Sequence, residues 1–109
     1  MDAAAGTVTN RRVWREFGEA DGHPDGMTFD ADDHVWIAHW GAGMVCRYDP
    51  AGRHVRTVPV PAVNVTNVCF FGPASDRLAI STAALSGWDD TRGDGAVFEL
   101  LSPGTRGCA

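Results

Sequence analysis

The chain has 109 residues, 44% of them hydrophobic and 21% charged, and a formal net charge of −5. That suffices for one small packed core, and the ordinary composition excludes disordered and fibrous classes. Nine scattered Lys and Arg form no basic footprint for nucleic acid, and no apolar run approaches the ~20 residues of a membrane span. The first residues, Met1-Asp2-Ala3-Ala4-Ala5-Gly6, lack a basic stretch followed by an apolar one, so no export signal is read and a cytoplasmic protein is expected.

Short apolar or alternating stretches between turn signals predict an antiparallel all-β fold. In chain order the expected strands cover residues 13–17, 26–30, 35–40, 44–49, 55–60, 67–71 and 78–82, with a further one over 96–100. Asp21-Gly22-His23-Pro24 reads as a breaker before the second strand. Gly41-Ala42-Gly43 suits a hairpin link, and Asp49-Pro50-Ala51-Gly52 a tight turn in which Pro presets φ and Gly accepts a positive one. No segment sustains a 3.6-residue period, so no long helix is expected.

A repeat underlies this order. The unit opening at Asp25 and leading to Val35-Trp36-Ile37-Ala38 returns near Thr66, leading to Leu78-Ala79-Ile80-Ser81, at an offset of about 41 to 43 residues. A period of ~40–45 residues is that of a four-stranded propeller blade. One blade is expected over about residues 25–60 and the next over about 65–101. Two blades do not close a ring, so the chain reads as a piece of a larger propeller, and residues 6–13 resemble a blade already in progress.

Cys46, Cys69 and Cys108 lack the spacings of zinc or redox motifs and are expected as two core residues and a loose terminal thiol. Asn64-Val65-Thr66 matches a glycosylation sequon without an export signal to give it meaning. Trp14, Trp36, Trp40 and Trp88 are expected to pack between sheets, and His34 and His54 to be solvated beside turns. Asp89, Asp90 and Asp94 fall in a glycine-rich stretch over 86–95 and read as a solvated cluster. Asp30-Ala31-Asp32-Asp33 lacks the Gly and distant Glu of a calcium loop and reads as a turn.

Pro24-Asp25-Gly26-Met27, Val35-Trp36-Ile37-Ala38-His39-Trp40, Val45-Cys46-Arg47-Tyr48-Asp49-Pro50-Ala51-Gly52, Thr66-Asn67-Val68-Cys69-Phe70-Phe71-Gly72-Pro73 and Pro103-Gly104-Thr105-Arg106-Gly107 follow one another at a familiar spacing. Together they resemble the C-terminal third of the senescence-marker-protein/regucalcin/gluconolactonase family, from about Gly6 to Gly107. The resemblance implies an incomplete six-bladed β-propeller and hydrolysis of sugar lactones with one divalent cation on the central axis, Ca²⁺ first, with Zn²⁺, Mn²⁺ or Mg²⁺ as alternatives. The family's cation ligands are a Glu, two Asn and the Asp of a Pro-Asp-Gly segment. Only that Asp has a counterpart here, Asp25, which the resemblance makes metal ligand and general base; the other three would lie upstream of residue 1.

Pro-Asp-Gly is equally a favoured turn sequence in which Asp caps its own backbone. His39, before Trp40 and Gly41, stands where it could touch substrate at the channel mouth or simply pack; His23 stands where it could shape the rim. One carboxylate does not compete with water for a hard cation, so the chain alone is expected to be inactive. Two other readings stand beside the enzyme: a non-enzymatic module that binds or self-associates through exposed strand edges, and a truncated gene product.

Overall fold

The computed structural model describes residues 11–84 and 95–108. Seven strands follow a single 3₁₀ turn, Glu19–Asp21: β1 His23–Phe29, β2 Val35–Trp40, β3 Met44–Tyr48, β4 His54–Pro59, β5 Val65–Phe71, β6 Arg77–Thr82 and β7 Val97–Leu100. They form a four-stranded sheet in the order β1-β2-β3-β4 and a three-stranded sheet in the order β5-β6-β7. Every pairing is antiparallel, as the sequence pattern predicts. Among the described residues no helix is long and apolar enough to cross a membrane.

The core follows from the two-residue period of a strand. Along β2, Trp36 and Ala38 point to one face and join Val45, Val68, Leu78 and Ile80 in the main core between the sheets. Val35 and Ile37 point to the other face and join Cys46 and Tyr48, with Phe17 and Met44 at the margin. β2 is therefore buried on both sides, which explains its unbroken apolar run. Each fully buried Leu, Ile or Val contributes about 1.5–3 kcal/mol relative to exposure.

Asp30 closes the turn between β1 and β2. Its Oδ1 accepts from the backbone N–H of Asp32 (2.8 Å) and His34 (3.1 Å). Asp49 repeats the device between β3 and β4, accepting from Ala51 and Arg53. Asp30 is completely buried, and its Oδ2 accepts from the Trp36 indole at 2.9 Å and from Arg47 Nε at 2.8 Å. Burial opposes its ionisation, but the Arg47, Trp36 and backbone donors outweigh that and hold the carboxyl below the usual carboxylate range.

Several expectations need correction. Residues 13–17 belong to no strand, although their side chains pack on the first sheet. Only the first half of the expected breaker, Asp21-Gly22, interrupts regular structure at the end of the 3₁₀ turn; His23-Pro24 opens β1, an edge strand of its sheet, where Pro is tolerated. Cys69 is exposed, because it lies on the uncovered face of the second sheet. Asn64 is fully buried, which removes it as a glycosylation acceptor in the fold. Residues 1–10, Trp88, Asp89, Asp90 and Asp94 lie outside the described residues.

Candidate functional site

The β1–β2 ladder pairs Pro24 with His39 and resumes with Met27 and Ile37. Asp25 and Gly26 thus oppose Ala38 alone, a bulge of two residues against one. A bulge bends its strand and changes the direction of the side chains it carries, and Asp25 lies in this one. Asp25 is exposed, and its carboxylate enters no hydrogen bond or ion pair among the described residues. The self-capping turn that Pro-Asp-Gly favours is not formed.

Gly26 is required by what lies across from it. A Cβ there would collide with the carboxamide and the Cα of Asn67 on β5. The innermost strands of the two sheets therefore touch at the bulge, and Asn67 lies beside Asp25 in space. Its Oδ1 accepts from the Val68 backbone N–H at 2.9 Å. Nothing in the local pattern announces this neighbour, because it comes from the adjoining sheet.

His39 is fully buried. Its Nδ1 lies 2.7 Å from the Asp21 carbonyl and its Nε2 2.8 Å from the Tyr48 hydroxyl, and the Phe17 ring meets it edge-on with centroids 5.3 Å apart. Both ring nitrogens are engaged inside the protein, which is the packing alternative rather than a substrate contact. Opposite Asp25's neighbour Pro24, it ties the 3₁₀ turn to β3 and so holds the strand end in place. His23 is exposed and stacks at a tilt on Trp40, with centroids 5.8 Å apart.

Among the described residues no three His, Cys, Asp or Glu side chains cluster as a metal site. Asp25 is a hard oxygen donor, unengaged among the described residues, of the kind that suits a cation such as Ca²⁺.

Residues 1–84 match the model of the SMP-30/Gluconolactonase/LRE-like region. The chain belongs to this family. It is 39% identical over 107 residues to the pentonolactonase XacC of Haloferax volcanii, covering 91% of this chain and 37% of that protein. It is 32% identical over 114 residues to regucalcin of Xenopus laevis, covering 99% of this chain and 38% of regucalcin. Among solved structures it is similar to a regucalcin from Agrobacterium tumefaciens described as a calcium-binding protein, with a TM-score of 0.86 and 34% identity. It is also similar to a luciferin-regenerating enzyme, with a TM-score of 0.87 and 28% identity. Both superpositions cover 99% of this chain and 38% of the neighbour.

The chain therefore spans a little over a third of the relatives it matches, and its two sheets are part of a six-bladed β-propeller. In this SMP-30/gluconolactonase-like piece the bulge at Asp25 lies on β1, and its contact with Asn67 joins the innermost strands of neighbouring sheets.

Proposed function

We propose that this chain is a portion of a sugar-lactone hydrolase in which Asp25 is ligand to a divalent cation and general base. The observation that carries the reading is the Asp25 carboxylate, exposed in a bulge of an innermost strand and free of internal partners. Ca²⁺ is the first candidate for its hard oxygen. When bound, such a cation supplies Lewis acidity toward a lactone carbonyl and lowers the pKa of water.

The chain's own residues set up the rest. An ionised carboxylate with unoccupied lone pairs can receive the proton of an attacking water at Oδ1 or Oδ2. The Gly26–Asn67 contact fixes the bulge that aims it, and the Asp21–His39–Tyr48 chain of hydrogen bonds anchors the adjoining strand end. One carboxylate against the six to eight oxygens that Ca²⁺ takes is too few to hold the ion against water. The 109-residue chain is accordingly expected to show no more than background hydrolysis.

The test is hydrolysis of gluconolactone by the purified chain with Ca²⁺, Mn²⁺ or Zn²⁺ added, beside Asp25→Asn. Rates indistinguishable from buffer are expected for both. Robust turnover lost in the variant would refute the inactivity of the isolated chain while supporting the role of Asp25; turnover indifferent to the substitution would refute that role.

A further inference from the structure

The bulge at Asp25 is repeated in the second sheet. On β1, Asp25 and Gly26 lie between the pairs Pro24–His39 and Met27–Ile37 and oppose Ala38 alone. On β5, Thr66 and Asn67 lie between the pairs Val65–Thr82 and Val68–Ile80 and oppose Ser81 alone. The repeat thus sets Thr66 in the place of Asp25, Asn67 in that of Gly26 and Ser81 in that of Ala38. A bulge kept at one position of two successive units belongs to the architecture and is not an accident of one strand.

The two bulges adjoin, because Gly26, having no Cβ, admits the Asn67 carboxamide. Thr66 precedes Asn67 as Asp25 precedes Gly26, so these two residues stand at matching places on adjoining innermost strands. The strand end opposite each bulge is tied down internally. His39 is held by the Asp21 carbonyl and the Tyr48 hydroxyl. Thr82 donates to the Ala96 carbonyl at 2.6 Å and accepts from the Gly95 N–H at 2.9 Å.

What differs between the bulges is their chemistry. In the first sheet the carboxylate of Asp25 stands against Ala38, a fully buried methyl group. In the second both positions carry hydroxyls. Thr66 Oγ1 and Ser81 Oγ lie 2.7 Å apart, half-buried, with no other partner among the described residues. A hydrogen bond of that length uses one proton, and leaves the pair one further O–H and lone pairs on both oxygens.

We propose that Thr66 is a second polar residue of the site opened by Asp25. With its own proton given to Ser81, Thr66 Oγ1 accepts a hydrogen bond from a water held by the divalent cation at Asp25. Ser81 is a positioning residue that fixes where the Thr66 proton points. The inference rests on the reading of Asp25 as a cation ligand. A neutral hydroxyl fits the role, because water on a divalent cation is a strengthened donor and the hydroxyl adds no charge to compete with the carboxylate.

The test is paramagnetic line broadening of the full, isotope-labelled chain by Mn²⁺. It needs no tight site, since an ion in fast exchange broadens the nuclei it visits. The wild type is expected to broaden at residues 24–27 together with Thr66, Asn67 and Ser81, and Asp25→Asn to lose the effect at both groups. Thr66→Val keeps the branched shape and removes the hydroxyl. At equal Mn²⁺ its broadening at residues 24–27 is expected to fall about two- to tenfold, the effect of one net hydrogen bond, and Thr66→Ser is expected to restore it. Ser81→Ala releases the Thr66 proton and is expected to act in the same direction; it replaces Thr66→Val should that variant lose the wild-type amide spectrum. A hydroxyl pair that only braces the sheet would lower the melting temperature of these variants and leave the broadening unmoved.

A wild-type chain without broadening at residues 24–27, or broadening that persists in Asp25→Asn, overturns the reading of Asp25 and this inference with it. Broadening that depends on Asp25 but leaves Thr66 and Ser81 sharp overturns the inference alone. So does broadening unchanged in folded Thr66→Val or Ser81→Ala, and so does a Thr66→Ser variant as weak as Thr66→Val.

Discussion

Asp30→Ala tests the energetic reading of the fold most severely. The substitution removes four acceptor contacts at once: Trp36 Nε1 at 2.9 Å, Arg47 Nε at 2.8 Å, and the Asp32 and His34 N–H groups at 2.8 and 3.1 Å. The indole of Trp36 is fully buried and would lose its partner, at ~1–3 kcal/mol for an unsatisfied buried donor. Breaking a buried ion pair costs ~3–5 kcal/mol when the partner stays desolvated. The Arg47 side chain, however, is 20% exposed, so it recovers some hydration and belongs at the low end. The two turn N–H groups lie nearer solvent and regain water. The net loss is about 3–4 kcal/mol, a large share of the ~5–15 kcal/mol that holds a typical domain folded. Urea unfolding followed by circular dichroism measures it at constant slope. A loss below about 1 kcal/mol would refute the view that Asp30 organises the β1–β2 turn and the sheet beneath it.

The same carboxylate sets a pH dependence. Its pKa is depressed in the fold, so the unfolded chain binds more protons in the acid range, and the stability Asp30 contributes is present above about pH 4 and lost as pH falls through the folded value. Asp30→Asn is expected to flatten that acid limb in melts recorded from neutral pH downward. Gly26→Ala drives a methyl into Asn67 and is expected to cost ~1–3 kcal/mol, partly restored by Asn67→Gly because the Asn67 backbone remains close; thermal melts of the single and double variants decide it. Leu78→Ala empties a fully buried site and is expected to cost ~2–5 kcal/mol in denaturant titration. Cys69 and Cys108, both exposed, are expected to react with a thiol reagent at once, while buried Cys46, whose pKa burial pushes up, reacts only on unfolding.

The parts of the fold legible from the sequence are those fixed by local chemistry. β2 and β3 were readable because short apolar runs are framed by Gly41-Ala42-Gly43 and by the Asp49–Gly52 turn, whose Asp caps backbone two and four residues on. Residues 13–17 have the same strand-like pattern, but patterning reports what a segment could pair with and not whether a partner is present. β1 was entered too late, at residue 26 instead of His23, because an edge position and a bulge relax the usual prohibition on Pro. Asp25 stood out through its place in the family pattern. Asn67, packed against Gly26, did not, since that contact joins residues on different sheets. His39 looked available from its place at a strand end; only the fold brings Tyr48 and the Asp21 carbonyl to its two nitrogens.

Residues 106 and 107 connect the two sheets. The Arg106 carbonyl accepts from the Ala31 N–H at 2.7 Å, the Gly107 N–H donates to the Ser75 carbonyl at 2.9 Å, and a Cβ on Gly107 would strike the Phe70 side chain. During synthesis this sets an order of events. A nascent chain that has emerged as far as Pro103 already holds all seven strands, yet neither of these bonds. Each sheet can reach its own register first, from neighbouring strands, and the mutual docking of the sheets is sealed only when the last turn arrives. A ribosome-stalled chain ending at Pro103 would then hold its sheets together through the apolar core without these two bonds.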